Sequence, residues 1–324
     1  MIEFQNINKT YRVAKRQAGL GNAMKALFSR EYELVHALKD VSFTIEDGEM
    51  VGYIGPNGAG KSTTIKIMCG VLTPDSGKCI INGRTPWKNR IPHVRDIGVV
   101  FGQRSQLWWD VPVIDSFELV RDMYKVEEKL YKKNLEELSH MLDLEELLKT
   151  PTRNLSLGQR MRCEIAASLL HNPKTLFLDE PTIGLDAVSK IAVRQFIKKL
   201  NAEHGTTVIL TTHDMQDIEA LTERILLIGK GRILLDGSLE ELKKQVSEHK
   251  TLVIKYRGKA PEICSGMTVT EAKEGQLVIS LDPSVLQVSD GIAYLAKQTE
   301  LEDISVSGIT AEEMVATLYK EYRI

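Results

Sequence analysis

The chain has 324 residues with 43% hydrophobic and 27% charged content, which is ordinary for a globular protein with one large domain and a smaller one. Its 42 Lys and Arg nearly balance its 44 Asp and Glu, so no basic excess argues for a nucleic-acid partner. Its four cysteines form no C-x-x-C pair, which disfavours zinc and disulfides and predicts reduced thiols of a cytosolic protein.

The first pattern along the chain is a basic, amphipathic segment over residues 16–31. Residues 9–39 carry seven Lys or Arg against two acids. Such a segment can lie against anionic lipid or a partner subunit, or it can pack on the chain's own sheet, and the sequence leaves both open. The apolar stripe has the spacing of one face of a short helix and consists of Leu20, Ala23, Met24, Leu27 and Phe28.

Short apolar runs then alternate with helical patterns, which predicts a mostly parallel sheet covered by helices. The clearest runs, at residues 50–54, 175–178 and 207–211, are almost continuously apolar, as strands buried on both faces should be. Between about residues 104 and 172 the pattern has helical periods and no good strand. We therefore expect an α/β domain over residues 1–245 that contains a helical insertion.

A glycine-rich loop follows the run at residues 50–54 and fits the pattern G-x-x-x-x-G-K-[ST]. Glycines let the backbone wrap closely around phosphate groups, and the N–H groups and the start of the next helix attract an anion. Lys61 would add a charge near the β- and γ-phosphates, and the Ser62 hydroxyl would ligate Mg²⁺. The predicted phosphate-binding residues are Gly55, Pro56, Asn57, Gly58, Ala59, Gly60, Lys61, Ser62 and Thr63.

Two acids, Asp179 and Glu180, follow the apolar run at residues 175–178. They stand at the carboxyl end of a strand, where ligands bind in open α/β sheets. Together with the phosphate-binding loop, this position predicts Asp179 beside the magnesium ion and Glu180 within reach of the water that attacks the γ-phosphate. For an isolated Asp-Glu pair, two solvated acids would be the simpler interpretation.

The pattern changes again after residue 237, and we interpret residues 246–324 as a small α+β accessory domain. It has no metal-ligand spacing, nucleophile arrangement or glycine-rich loop, so a structural role stands beside dimer stabilisation or regulation. Its predicted elements, after a charged helix at residues 240–248, are strands at 251–256, 276–281 and 304–306 and helices at 289–298 and 311–322.

Between the glycine-rich loop and the paired acids, residues 155–159 read Leu-Ser-Leu-Gly-Gln. This run resembles the signature motif of the ATP-binding cassette (ABC) family, usually Leu-Ser-Gly-Gly-Gln, and the resemblance extends over residues 1–245. It implies a P-loop NTPase cassette that hydrolyses ATP with Mg²⁺. Leu157 replaces the first glycine of the motif, whereas Ser156 and Gly158, which are expected to contact phosphate, remain. Gln159 belongs to the same nucleotide-binding set.

The signature motif has a particular consequence in this family, because it closes over ATP held by the opposite subunit. Ser156 is able to cap the helix that begins near Gly158, so that the hydroxyl, the amides and the helix dipole face the γ-phosphate. The resemblance therefore implies a head-to-tail dimer with two sandwiched ATP molecules. The second ABC subunit would be an identical copy or a close paralogue.

Two further motifs follow in the family's order. Asp186, in the run Gly-Leu-Asp at residues 184–186, resembles the D-loop, which couples the two sites across the dimer. His213 resembles the switch histidine, which contacts the γ-phosphate and orients Glu180 and the water. The resemblance thus names Glu180, His213 and Lys61 as the catalytic residues.

For two of the family's motif residues, a second residue nearby is an alternative. Gln103 matches the Q-loop glutamine, which senses magnesium and links the ATP site to the helical insertion, although Gln106 stands close by. Tyr11 resembles the aromatic residue that stacks on adenine, although Tyr32 lies nearer to the point where the family pattern resumes. The implied metal ligands are Ser62, Gln103 and Asp179.

Other features concern partners. Trp108 and Trp109 are adjacent, and neighbours on a regular element point in different directions, so both cannot easily enter one core. At least one is a candidate contact for a membrane partner, and burial in the core is the alternative. Residues 301–314 resemble the tail of cassette ATPases in ABC-2-type exporters of drugs, polysaccharides and antibiotics. The favoured interpretation is such an exporter subunit at the cytoplasmic face of the membrane; an importer ATPase and a non-transport cassette ATPase are the alternatives.

The sequence predicts no membrane-crossing segment. Residues 1–5 lack the basic start and apolar run of a signal peptide. No stretch approaches the roughly 18 uninterrupted apolar residues of a spanning helix. A role at the membrane is therefore expected to need integral-membrane permease subunits as partners.

Overall fold

The computed structural model describes residues 1–14, 32–102, 104–212, 214–241 and 250–308. The amphipathic segment predicted at residues 16–31 and the helix predicted at 311–322 lie outside the described residues. So does most of the charged helix predicted at 240–248.

The described residues form eight α-helices and thirteen strands, numbered here in chain order. The helices are α1 Lys61–Met68, α2 Arg90–Arg95, α3 Val113–Tyr124, α4 Glu128–Leu142, α5 Leu157–Leu169, α6 Ala187–His204, α7 Met215–Leu221 and α8 Val288–Ala296. The strands are β1 Ile2–Ala14, β2 Tyr32–Ile45, β3 Met50–Ile54, β4 Ser76–Ile81, β5 Ile97–Phe101, β6 Thr175–Asp179, β7 Thr207–Thr211, β8 Arg224–Gly229, β9 Arg232–Ser238, β10 Lys250–Arg257, β11 Met267–Lys273, β12 Gln276–Leu281 and β13 Glu300–Gly308.

A six-stranded sheet with the order β5-β6-β7-β3-β8-β9 forms the centre of the first part of the chain. Strands β5, β6, β7, β3 and β8 pair in parallel, which confirms the predicted mostly parallel sheet. The register pairs Thr211 of β7 with both Tyr53 of β3 and Asp179 of β6. The carboxyl ends of these three strands therefore align, and the loops that follow them meet at one edge of the sheet.

A second, antiparallel sheet with the order β2-β1-β4 shares its core with the central sheet, and the sequence patterns did not reveal it. Phe4 of β1 stacks on Phe43 of β2 with ring centroids 4.8 Å apart, and Phe43 also meets Tyr53 of β3 at 5.9 Å. All three rings are buried. This packing fixes β1 and β2 beside the loop that follows β3.

The segment between β5 and β6 contains α3, α4 and α5, and residues 104–172 are described without a strand. Helix α5 packs against α4 and against the central sheet at β5. A short 3-10 helix, Thr152–Asn154, leads into α5. The helical insertion thus carries the residues that precede and begin the signature motif.

The chain divides into two compact units, Met1–Gly237 and Ser238–Ile324. The second unit contains an antiparallel sheet with the order β11-β12-β10-β13, and α8 supplies Leu295 to its core. Strand β11 was not predicted, and only its first residue, Met267, is buried. Within the described ranges, no helix combines the length and the apolar character that crossing a membrane requires.

Candidate active site

The loop between β3 and α1 leads directly into the helix. Gly60 has a φ of 116°, which L side chains rarely adopt, and a Cβ there would lie 2.7 Å from the Ala37 carbonyl oxygen. The loop is fixed by Ala59, whose N–H donates to the Pro56 oxygen at 3.1 Å and whose oxygen accepts from Gly231 N at 3.0 Å. Because Gly60 is the N-cap, no side chain caps α1, so its first-turn N–H groups suit a phosphate.

Lys61 folds back into this loop. Its Nζ donates to the carbonyl oxygens of Gly55 at 2.6 Å and Pro56 at 3.2 Å, and the residue is only 6% exposed. Burial lowers the pKa of the Lys61 ammonium, while the negative charges of Glu180 and Asp179 act in the opposite direction. The loop, the Lys61 ammonium and the two acids therefore lie close enough to interact.

Oxygen atoms of Ser62 and Asp179 meet at the start of α1. The Ser62 hydroxyl donates to Asp179 Oδ2 at 3.5 Å, and the Thr211 hydroxyl donates to Asp179 Oδ1 at 2.5 Å. Mg²⁺ is typically held by one or two carboxylates together with substrate phosphates and waters. The hydroxyl and the carboxylate at this position fit that ion, with Thr211 holding the carboxylate in place.

Glu180 has an unusual backbone conformation. Its φ of 58° lies in the left-handed region, which is rare for a side chain other than Gly, Asn or Asp. The Glu180 N–H donates to the Thr211 oxygen at 2.9 Å, and Gly102 N donates to the Asp179 oxygen at 2.8 Å. Hydrogen bonds from both neighbouring strands thus hold the chain where it turns out of β6.

Tyr11 lies beside the first turn of α1. Its hydroxyl is 3.4 Å from the Thr63 hydroxyl, and Lys9 Nζ is 6.0 Å from the centre of its ring. Tyr32, the alternative, pairs with Ala14 farther out along the β1–β2 hairpin and is 50% exposed. The position of Tyr11 favours it as the adenine-stacking residue.

Ser156 and Gln159 form a reciprocal cap at the start of α5. The Ser156 hydroxyl accepts from Gln159 N at 3.2 Å, and the Gln159 side-chain oxygen accepts from Ser156 N at 2.9 Å. The predicted N-cap is present. Gln159 contributes its side chain to that cap, which assigns it a local role in holding Ser156.

The starts of α5 and α6 lie side by side. Asp186 caps α6 by accepting from Ser189 N at 2.9 Å and the Ser189 hydroxyl at 2.8 Å. A Cβ at Gly158 would lie 2.3 Å from that Ser189 hydroxyl, so the helix starts meet only because residue 158 is a glycine. Leu157 packs on Gly184. The departure from the usual motif therefore forms a contact between the signature run and the D-loop-like run.

Two predicted site residues cannot be placed. Gln103 and His213 lie outside the described residues. Gln106 is described: its side-chain nitrogen donates to the Glu164 backbone oxygen at 3.0 Å and its N–H to Glu164 Oε2 at 3.1 Å. These bonds tie Gln106 to α5, which favours Gln103 as the glutamine of the nucleotide site.

Glu164 was missed by sequence reasoning. It is 5% exposed on α5, and burial raises the pKa of its carboxyl, although hydrogen bonds from Ser105 and Gln106 oppose that shift. A Glu within an amphipathic helix has no sequence signal that distinguishes a buried position from a solvated one.

Known proteins resemble the chain in both sequence and fold. The family model described as "ABC transporter" matches residues 38–183. The ABC transporter ATP-binding protein NatA of Bacillus subtilis (strain 168) is 32% identical over 215 residues, which are 66% of this chain and 87% of that protein. The chain belongs to the ABC transporter ATP-binding proteins.

Other relatives widen the comparison. The probable sulfate/thiosulfate import ATP-binding protein CysA of Chlorella vulgaris is 33% identical over 223 residues, 69% of this chain and 92% of that protein. A solved dimeric structure of an ATP-binding cassette in a post-hydrolysis state, bound to ADP and Pi, has 29% identity and a TM-score of 0.61. The similarity covers 74% of this chain and 99% of the chain in that structure. This ABC protein is accordingly an ATPase that binds ATP with Mg²⁺, on a P-loop cassette fold.

Proposed function

We propose that this chain is the ATP-hydrolysing subunit of an ABC-2-type exporter, at the cytoplasmic face of a membrane, and that it drives a separate permease. The observation that carries the transport role is the exposed tryptophan pair described below. Export is supported by the resemblance of residues 301–314 to the tails of such exporters. The likeness to CysA, named an import ATP-binding protein, keeps an importer as the second candidate.

Within one subunit, the residues around the loop after β3 divide the work of hydrolysis. The first-turn amides of α1 and the Lys61 ammonium bind and orient the phosphates of ATP, and Tyr11 stacks on adenine. Ser62, Asp179 and Gln103 would hold Mg²⁺, which neutralises developing charge on the phosphates when bound. Glu180 accepts a proton from the attacking water, and His213 keeps that water and Glu180 in place.

The second subunit completes the site. Ser156, held by its cap, presents its hydroxyl and the start of α5 to the γ-phosphate of ATP in the partner, together with Gly158. ATP then joins the two subunits, and loss of the γ-phosphate on hydrolysis releases them. The contact of Leu157 with Gly184 supports coupling of this closure to Asp186 at the start of α6.

Trp108 and Trp109 support docking on a membrane partner. They are 59% and 52% exposed. An aromatic side chain stabilises a fold mainly when it is buried, so this exposure is not explained by stability of the fold. Their backbone is held by two hydrogen bonds, from Trp108 N to the Ser116 hydroxyl at 3.0 Å and from Arg153 N to the Trp109 oxygen at 3.0 Å. The Arg160 guanidinium lies 5.8 Å from the centre of the Trp109 ring. A rigid, exposed aromatic pair is typical of an interface anchor.

Replacing both tryptophans with Ala should reduce co-purification of a hydrophobic, integral-membrane subunit by about tenfold or more, since each anchor is worth about 1 kcal/mol or more. The measurement is capture of the tagged chain from detergent-solubilised native membranes. Met123→Ala, at a residue that is 67% exposed on the same helical insertion, is the matched control. Undiminished co-purification would contradict docking through this pair. Absence of any hydrophobic subunit with the parental chain would favour a non-transport cassette ATPase.

Residues 16–31 are proposed to touch anionic lipid. The strands on either side of this basic segment end in exposed apolar side chains, Val13, Tyr32 and Leu34, at 51%, 50% and 56%. Apolar side chains beside basic residues are the combination that binds an anionic membrane surface. Deleting residues 16–31 should therefore reduce flotation of the protein with permease-free anionic vesicles, measured against neutral vesicles. Equal flotation of the deleted and parental chains would contradict lipid contact.

A further inference from the structure

A buried carboxylate outside the nucleotide-binding loop joins several segments of the site. Asp217, on α7, is 0% exposed. Its Oδ1 accepts from Arg194 Nε of α6 at 2.6 Å, and its Oδ2 accepts from the Thr212 hydroxyl at 3.0 Å. The Thr182 hydroxyl also donates to Oδ2. Three different segments therefore donate to one carboxylate.

The hydroxyls of Thr182 and Thr212 lie on the segments that contain the proposed catalytic residues. Thr182 lies two residues after Glu180, in the turn where the chain leaves β6, and it is 2% exposed. Thr212 immediately precedes residue 213 and is 3% exposed. Its hydroxyl also accepts from Asp214 N at 3.0 Å, on the other side of residue 213. Asp217 thus connects the turn after Glu180 to both flanks of the position of His213.

Helix α6 is tied to the same group. Arg194 pairs with Asp217 and also approaches Asp214 Oδ2 at 3.4 Å, while Lys190, one turn earlier, donates to Asp214 Oδ2 at 2.5 Å. The helix begins at Asp186, the D-loop-like residue beside the signature run. A displacement of α6 would therefore pull on the segments that flank residue 213 and on the turn after Glu180.

The bonds to Asp217 are expected to fix the positions of these segments more than to stabilise the fold. A buried ion pair seldom stabilises a fold more than apolar residues of similar volume would, because desolvation offsets the attraction. Glu180, by contrast, keeps a left-handed backbone that persists only when surrounding structure enforces it. The Thr182 bond to Asp217 supplies such enforcement directly after Glu180.

We propose that Asp217, together with Arg194, is a positioning residue for ATP hydrolysis, which holds the turn after Glu180 and the segment around residue 213 in one arrangement and ties both to α6. This inference rests on the proposed roles of Glu180 and His213. Displacing a catalytic group by a fraction of an ångström slows chemistry more than it weakens substrate binding. Loss of the network should therefore appear in kcat rather than in KM.

Thr182→Val tests the inference, because it removes the hydroxyl that donates to Asp217 and keeps the shape of the side chain. We expect kcat for ATP to fall by about tenfold, with KM within about twofold of the parental value. Thr182→Ser, which retains the hydroxyl, should recover most of kcat. Thr212→Val should act in the same direction as Thr182→Val. Asp217→Ala removes one of the two carboxylates that pair with Arg194 and is therefore expected to destabilise the fold. The threonine variants are used for the test instead.

Thr222→Val is the matched control. Thr222 is 6% exposed at the other end of α7, and its hydroxyl donates only within the helix, to the Ile218 oxygen at 3.1 Å. Its kcat should stay at the parental value. If Thr182→Val lowers the melting temperature but leaves kcat unchanged, Asp217 is structural and the inference is wrong. If Glu180→Gln instead keeps parental turnover, the proposed base fails, whatever the threonine variants do.

Discussion

Replacing Glu180 with Gln is expected to lower kcat for ATP by on the order of a thousandfold while the protein still binds ATP. Glutamine has nearly the same size as glutamate, but its amide cannot take up a proton from the attacking water. The phosphate-binding loop, Lys61 and Ser62 are untouched, so nucleotide affinity should remain. With ATP bound and not hydrolysed, the two subunits should stay joined, and a dimer should accumulate.

The measurements are steady-state phosphate release, ATP binding and the oligomeric state in the presence of ATP. Glu203→Gln provides the control, since Glu203 is an exposed acid on α6 that is 3.9 Å from Lys199 and far along the helix from its start. It should leave all three measurements unchanged. Parental turnover in Glu180→Gln would show that another group activates the water.

Ser156→Arg is expected to abolish hydrolysis while each separate subunit still binds ATP. The bulky cation would occupy the space where the Ser156 hydroxyl and the start of α5 are proposed to face the partner's γ-phosphate. The substitution also removes the helix cap, in which the Ser156 hydroxyl accepts from Gln159 N at 3.2 Å, and this costs roughly 1 kcal/mol of stability.

A second substitution separates these two effects. Ser156→Asn retains a side chain that caps helices as well as Ser does, so its melting temperature should stay close to the parental value. We expect it to lose most of the ATPase activity as well, because the larger side chain alters the contact across the dimer. Hydrolysis at the parental rate by Ser156→Asn would contradict that contact.

Much of the central sheet was predictable because β3, β6 and β7 are buried on both faces and therefore almost continuously apolar. The loop after β3 was predictable because Gly60, Lys61 and Ser62 are required in fixed order by phosphate and magnesium. The same reasoning predicts a role for Asp179 and Glu180, since ligands bind at the carboxyl ends of parallel strands.

The rest depended on contacts that no local pattern encodes. Glu164 and Asp217 look like ordinary helix-surface acids in the sequence, and only the packing of α5 and α7 buries them. In the sequence, Leu157 is a departure from the family motif with no evident role. In the structure, its side chain contacts Gly184. Strand β11 buries only Met267, so it has no run of buried apolar residues from which a strand could be predicted.

Mixing two inactive variants tests most directly whether the ATP site is shared between two subunits. Lys61→Ala lacks the ammonium that folds into the phosphate loop, and Ser156→Arg lacks the proposed contact to the partner. In a mixed dimer, one site would combine the intact loop of the Ser156 variant with the intact signature run of the Lys61 variant. Mixing should therefore restore ATPase activity well above that of either variant alone. A mixture as inactive as its separate components would contradict a site shared between two copies of this chain.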